Sequence, residues 1–314
     1  MSKVLGICCA RLKYNQEEKY ESAGYEIIKL YEEGKKYYDD VLVFHPSEVN
    51  YKLIRSQKEP IVSLKGKDIT NLSTLIIRRV KLYEKATSIL ARVLDSCGCD
   101  VFDPVDRFQG NSPSKLLTTV NRHEKGVGVS SYIAASFEGA TQLISEFDNQ
   151  QFPLIVKPID GRGGEGVELL NNLNEAIEYA KKFFEDNQER NQPILFQEFV
   201  RIKSEYRVMI VDGQSLGLVK KIAQLGAIAA NAAQGGNFIA TDADDVINLA
   251  VNNVSQRGIL GVDVVRDFEE KLYILEANRS PQWKAFEEAT GINVAQEIIV
   301  RAINRLNRVK DSES

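Results

Sequence analysis

Four glycines within seven residues, Gly161-Arg162-Gly163-Gly164-Glu165-Gly166-Val167, stand between two apolar runs. Glycine lets backbone amides turn toward one point without side-chain clash, and such a nest suits a phosphate. No Gly-Lys-Ser/Thr follows, which excludes a Walker loop. The segment precedes a strand rather than opening a helix, which excludes the dinucleotide fingerprint. In isolation a glycine-rich hairpin turn would read the same way. Lys157, ending Ile155-Val156-Lys157-Pro158, would set an ammonium beside the loop as a point charge for a phosphate oxygen, the alternative being a solvated strand-end lysine. Lys115 is a second candidate of that kind. Further on, Gly261-Val262-Asp263 and Leu275-Glu276-Ala277-Asn278 place an acid on one strand and an acid plus an amide on its neighbour. Alternation puts Glu276 and Asn278 on one face. Three hard oxygen donors, with phosphates supplying the rest, suit magnesium. The apolar flanks Ile259, Leu260, Ile274 and Leu275 argue against an exposed polar hairpin.

The elements that must hold these residues follow from periodicity. Lys3 to Cys8 and Asp40 to Phe44 read as strands around a helix marked by Ala23, Ile27, Leu30 and Tyr31. A hairpin is expected from Ile61 to Ile69 around Gly66, a strand from Thr74 to Arg79, a helix from Tyr83 to Cys97 and a strand from Asp100 to Asp103. Through about residue 105 this predicts a mostly parallel α/β layer. Helices are expected from Pro113 to His123, Phe137 to Phe147 and residues 173 to 187, with strands Phe152 to Lys157 and Ile194 to Phe199. Two antiparallel pairs follow, Glu205 to Ile222 around Asp212-Gly213 and Gly258 to Asn278 around Phe268 to Glu270, with a helix from Asp242 to Ser255 between them. Ile292, Ala295, Ile299, Ala302, Ile303 and Leu306 line a final helix. The expected domains are 1–105, 106–190 and 191–314.

Composition limits the class. With 314 residues, 43% hydrophobic and 27% charged, the chain reads as folded and multidomain rather than disordered. Forty basic against 44 acidic residues give a net charge of −4, which supplies no whole-chain field for a nucleic acid. No apolar run suits a membrane span, so the expected compartment is the cytoplasm. Four cysteines (Cys8, Cys9, Cys97, Cys99) and two histidines (His45, His123) make neither a disulfide framework nor a zinc site, and the thiols read as buried and reduced.

Taken in order, Lys115, Ile155 to Pro158, the glycine loop, Gln197-Glu198-Phe199-Val200, Glu205-Tyr206-Arg207, Asn231, Gly235-Gly236, Asp263, Glu276 and Asn278 resemble the ATP-grasp carboxylate-amine ligases. Within them the chain looks most like the RimK-like ligases of the ribosomal-protein S6 modification type, along essentially its whole length. The resemblance implies an α/β ATP-grasp fold: an amino-terminal parallel α/β (pre-ATP-grasp) domain and two α+β subdomains sandwiching the nucleotide.

It also implies roles. Lys115 and Lys157 match the lysines that reach ATP. Gln197, Glu198, Phe199 and Val200 match the hinge that pairs with adenine through its backbone, and Glu205 matches the acid near the ribose. Gly161, Arg162, Gly163, Gly164, Glu165, Gly166 and Val167 match the loop that closes over the phosphates. Asp263, Glu276 and Asn278 match the ligands of two magnesium ions, or of manganese in their place. Arg207, Lys220 and Asn231 match catalytic positions lining the site, and Arg79, Gly235 and Gly236 match substrate positions. The implied reaction is ATP-dependent amide formation through an acyl phosphate, with carboxylate and amine substrates such as an amino acid, a peptide or a protein tail, and with a homo-oligomeric assembly.

Ala229 and Gln234 depart from the pattern, standing where relatives commonly carry arginine. One or two cations that would meet the transferred phosphoryl group or a substrate carboxylate are thereby absent, so the resemblance does not carry glutamate over as the added amino acid. Two other readings follow: a ribosomal-peptide macrocyclising ligase, whose usual leader-binding insertion is not evident here, and a non-catalytic nucleotide-binding protein, against which the three retained metal-ligand positions argue.

Overall fold

The computed structural model describes residues 2–10, 24–57, 59–78, 83–103, 115–157, 167–187, 192–222 and 237–313; side-chain descriptions exclude Lys115 and residues 309–313. Among the described residues the fold is mixed α/β, with one parallel and three antiparallel sheets.

The amino-terminal layer contains β1 (Val4–Cys9), α1 (Tyr25–Gly34), β2 (Asp40–Phe44), β3 (Val49–Lys52), β4 (Ile61–Leu64), β5 (Lys67–Asp68), β6 (Thr74–Arg78), α2 (Glu84–Ser96) and β7 (Asp100–Val101). Strands β2-β1-β6-β7 form the parallel sheet. Parallel strands covered on both faces carry apolar residues at successive positions. In β1, Leu5, Ile7 and Cys9 enter one core while Cys8 enters another with Leu75, Ile77, Leu90 and Leu94. Around Gly66 the expected hairpin is present, and β3 extends it to a three-stranded sheet. Cys8, Cys9 and Cys99 are buried and Cys97 half-buried, none in a disulfide, and burial pushes the Cys8 and Cys99 thiols up.

Next come α3 (Lys115–Glu124), β8 (Ser131–Ala134), α4 (Phe137–Ser145), β9 (Leu154–Lys157), β10 (Glu168–Leu170), α5 (Leu173–Asp186) and β11 (Ile194–Glu198). Strands β10-β9-β11-β8 form an antiparallel sheet whose core, with Ala140, Ile144, Ala176 and Ala180 of its two helices, is separate from the others. This sheet reaches Glu198, past residue 190. Its edge strands β8 and β10 are three or four residues long and carry no extended alternation for a sequence reading to register.

The rest is β12 (Ile202–Val211), β13 (Gln214–Ile222), β14 (Asn237–Thr241), α6 (Asp244–Asn253), β15 (Ile259–Asp267), β16 (Leu272–Asn278), α7 (Lys284–Thr290) and α8 (Val294–Glu313). Strands β14-β13-β12-β15-β16 make an antiparallel sheet. Asp212 (φ 47°) and Gly213 (φ 73°) both take positive φ in the β12–β13 turn, the two-residue geometry that follows strand twist. One sheet face packs on Val246 and Ala250 of α6. The other contributes Met209, Val211 and Val219 to a core shared with Leu5, Ile7 and Ile27 of the amino-terminal layer and Trp283, Phe286 and Ile298 of the carboxy-terminal helices. The first and third regions therefore share one hydrophobic interior. Residues after α3 join the carboxy-terminal sheet as well: Ile274 N–H donates to Val127 O at 2.8 Å, and Val127 packs in that sheet's core.

Candidate functional site

On one face of the carboxy-terminal sheet, charges are set side by side by strand register. Arg207 of β12 lies opposite Asp263 of β15, which lies opposite Glu276 of β16. Glu205, two residues before Arg207 and on the same face, lies opposite Lys221 of β13. Arg207 donates two parallel hydrogen bonds to Asp263, Nε to Oδ1 and Nη2 to Oδ2, each 2.8 Å, and its guanidinium lies 5.9 Å from the Phe238 ring centroid. Lys221 Nζ lies 2.5 Å from Glu205 Oε1 and 3.0 Å from Asp263 Oδ2, with its side chain 1% exposed.

Electrostatics follow from that packing. Burial opposes the charge on Asp263, but Arg207 and Lys221 outweigh it and hold the carboxyl below the usual aspartate range. Burial likewise opposes the Arg207 charge, and Asp263, with Glu276 and Glu205 behind it, raises its pKa above the ordinary value. The charge-assisted fork makes this a rigid unit.

Glu276 is exposed, and a bulge precedes it: Asp263 pairs with Glu276 while Val264 pairs with Ile274, leaving Leu275 as the extra residue. Bulges of this kind re-aim side chains. Asn278 lies opposite Gly261, and its Oδ1 accepts from Ser280 N–H at 2.9 Å. A β-carbon at Gly261 would come within 2.8 Å of Pro281 Cβ, so the glycine is what allows this close approach. Beyond it Arg78, at the end of β6, donates to Arg279 O at 3.3 Å and Pro281 O at 2.9 Å, and stacks 5.0 Å from the Trp283 ring centroid. The amino-terminal sheet thereby anchors the loop that follows Asn278.

In the central sheet, Lys157 is half-buried at the end of β9 and Val167 is half-buried just before β10. Gln197 is buried and donates from Nε2 to Ser131 Oγ at 2.8 Å. Glu198 accepts from Ser130 Oγ at 2.6 Å, and its N–H donates to Ser130 O at 2.9 Å. Phe199 and Val200 leave the strand ladder toward β12.

Of the sequence candidates, Arg79, Gly161, Arg162, Gly163, Gly164, Glu165, Gly166, Asn231, Gly235 and Gly236 lie outside the described residues, as do Ala229, Gln234 and the Lys115 side chain. Glu205, Arg207, Asp263 and Glu276 are brought together, and Asn278 lies on their face. Lys220 pairs with Tyr206 and Ile239 on the opposite sheet face, and Lys221 is the lysine that reaches Glu205 and Asp263. The reason is a second bulge. Ile210 pairs with Ser215 but Met209 with Gly217, so Leu216 is extra and every later residue of β13 changes face. Gly217 within the strand was the available signal.

No sequence motif marks Arg122, in the last turn of α3. Burial lowers its pKa while Glu276 opposes the shift, and its Nη2 donates to Thr119 Oγ1 at 3.1 Å. The segment after α3 meets β16 through the Ile274 N–H to Val127 O bond, and the guanidinium lies within electrostatic reach of the acid.

Magnesium fits the donor set by its chemistry. Among the described residues no group of three or more His, Cys, Asp or Glu side chains could hold a metal alone. Asp263, Glu276 and Asn278 offer two carboxylates and an amide, all hard oxygen donors, which suits an ion completed by phosphate oxygens and water.

The model for the RimK-like ATP-grasp domain matches residues 115–303. A probable alpha-L-glutamate ligase of Histophilus somni is 27% identical over 191 residues, covering 59% of this chain but only 61% of that protein's length. The glutamate–LysW ligase ArgX of Sulfolobus acidocaldarius is 25% identical over 261 residues, covering 80% of this chain and 88% of that protein. Among solved structures, the ATP-grasp ligase PsnB complexed with minimal precursor, Mg and ADP superposes with a TM-score of 0.69 at 13% identity, covering 96% of this chain and 98% of that one.

Proposed function

The chain belongs to the RimK-like ATP-grasp family, and from that premise we propose that it is an ATP-dependent carboxylate-amine ligase that forms a peptide or isopeptide bond through an acyl phosphate. The observation that carries the reading is the contiguous row of Arg207, Asp263 and Glu276 on three neighbouring strands, with Lys221 and Glu205 beside it. A structural ion pair accounts for Arg207 and Asp263 but not for an exposed Glu276 aligned with them.

In the reaction, a substrate carboxylate oxygen attacks the γ-phosphorus of ATP, the bond to the bridging β-oxygen breaks and ADP leaves. An amine then attacks the acyl carbon, the carbon–oxygen bond breaks, inorganic phosphate leaves and the amine proton passes to solvent or phosphate. Such transfers depend on positioning and charge neutralisation more than on covalent help. Magnesium held by Asp263, Glu276 and Asn278 would neutralise phosphate charge. Lys157 and the glycine loop would hold phosphate oxygens. Arg207, whose Nη1 is outside the Asp263 fork, would face charge developing on the carboxylate. Because the Glu198 N–H already donates to Ser130, the backbone N–H offered to adenine would be that of Phe199 or Val200. Glu205 would take the ribose.

The relatives named glutamate ligases support an amino acid as one substrate and a peptide or protein as the other. The test is mass spectrometry of products formed from ATP, magnesium, pooled amino acids and cell extract. A mass gain equal to one amino acid less water, with ADP released, supports the reading. Absence of ADP and of any ligated product across a broad panel of carboxylates and amines defeats it. ADP release that needs a precursor peptide and no free amino acid would instead identify a macrocyclising ligase.

A further inference from the structure

Lys221 does more than complete an ion pair. Its ammonium touches two acids with different expected duties, Glu205 and Asp263, and both oxygens of Asp263 are already bonded by Arg207. Arg207, Lys221, Asp263 and Glu205 together carry no net charge. Their side chains are 14%, 1%, 9% and 12% exposed, so water screens them weakly. A divalent ion arriving alone at Asp263 would meet an ammonium and a guanidinium on the same carboxylate.

We propose that Lys221 is the internal cation that makes metal loading of Asp263 conditional on nucleotide. Without nucleotide the ammonium shares Asp263 Oδ2 and disfavours a divalent ion there. Nucleotide phosphates supply the negative charge that reverses this balance. The inference rests on reading Asp263 as a metal ligand, and its test separates the two.

Mn2+ is titrated into full-length wild type, Lys221→Gln and Lys221→Arg, with bound ion read from the electron paramagnetic resonance signal of the free ion, first without nucleotide and then with ADP. Wild type should bind Mn2+ weakly alone and tightly with ADP. Lys221→Gln, which keeps a hydrogen-bond donor and removes the charge, should bind Mn2+ alone about tenfold more tightly or better. Lys221→Arg should stay close to wild type. A Gln variant that binds Mn2+ alone no more tightly than wild type overturns the role of Lys221. Failure of wild type to bind Mn2+ even with ADP overturns the metal reading itself. Should circular dichroism show Lys221→Gln unfolded, Lys221→Met, uncharged and of similar length, takes its place. It should show the same gain in Mn2+ binding without nucleotide, and binding no tighter than wild type overturns the proposal.

Discussion

Arg207 grips Asp263 through two parallel hydrogen bonds of 2.8 Å across the β12–β15 ladder. A guanidinium and a carboxylate in this geometry fix each other's orientation as well as their charge.

Asp263→Asn should cost about 3–5 kcal/mol at neutral pH, because Arg207 and Lys221 would remain buried with less charge to meet. The pH dependence has a definite sign. The folded-state pKa of Asp263 is depressed, so its contribution is complete above the unfolded value of about 3.9 and is lost as pH falls through the lower folded value. Denaturant unfolding of wild type and variant should therefore differ by a constant amount near neutrality and converge only in acid. A difference that shrinks with rising pH would contradict the assignment.

Glu276→Gln should lower turnover by about 10- to 100-fold, the loss seen even for groups that only support metal ligands, and leave thermal stability nearly unchanged. The exposed side chain makes little contribution to packing. Calorimetry alongside an ADP-release assay checks both halves, and a large fall in melting temperature would point to a structural role.

Gly261→Ala should destabilise by about 1–3 kcal/mol through overpacking. The new methyl would push Pro281 away and disturb the carbonyls that Arg78 holds. Metal or nucleotide affinity should fall with stability, since the displaced loop begins directly after Asn278. A variant as stable and as tight-binding as wild type would show that the loop tolerates the shift.

Arg305 of α8 joins the amino-terminal layer to the β12–β13 turn: it bonds Asp100 and Phe102 O, lies 3.4 Å from Asp212 Oδ1, and stacks 5.1 Å from the Phe102 ring centroid. Arg305→Ala should cost about 1–3 kcal/mol, less than a fully buried pair because the side chain is partly solvated. Limited proteolysis should then release fragments cut between the two regions earlier than from wild type. Equal proteolytic lifetimes would mean that the shared hydrophobic interior alone holds the joint.

Much of this architecture was legible in the chain. Apolar runs at β1, β2 and β6 announced a buried parallel sheet, because strands covered on both faces leave no polar alternation. The pair Asp212-Gly213 announced its turn through residues able to take positive φ. Short edges such as β8, β10 and β14 escaped because a few residues at a sheet margin have too little pattern to register.

Residue types and alternation by themselves determined that Glu205, Arg207, Asp263, Glu276 and Asn278 belong to paired strands and that Glu276 shares a face with Asn278. Which lysine serves them was decided by the sheet. From Val211 opposite Gln214, an unbulged ladder would bring Lys220 opposite Glu205; the extra residue Leu216 moves the partner to Lys221 and turns Lys220 to the other face. The bulge at Leu275 and the approach of Arg122 to Glu276 were likewise decided in three dimensions. Register and long-range contact are properties of two segments at once, whereas periodicity is a property of one.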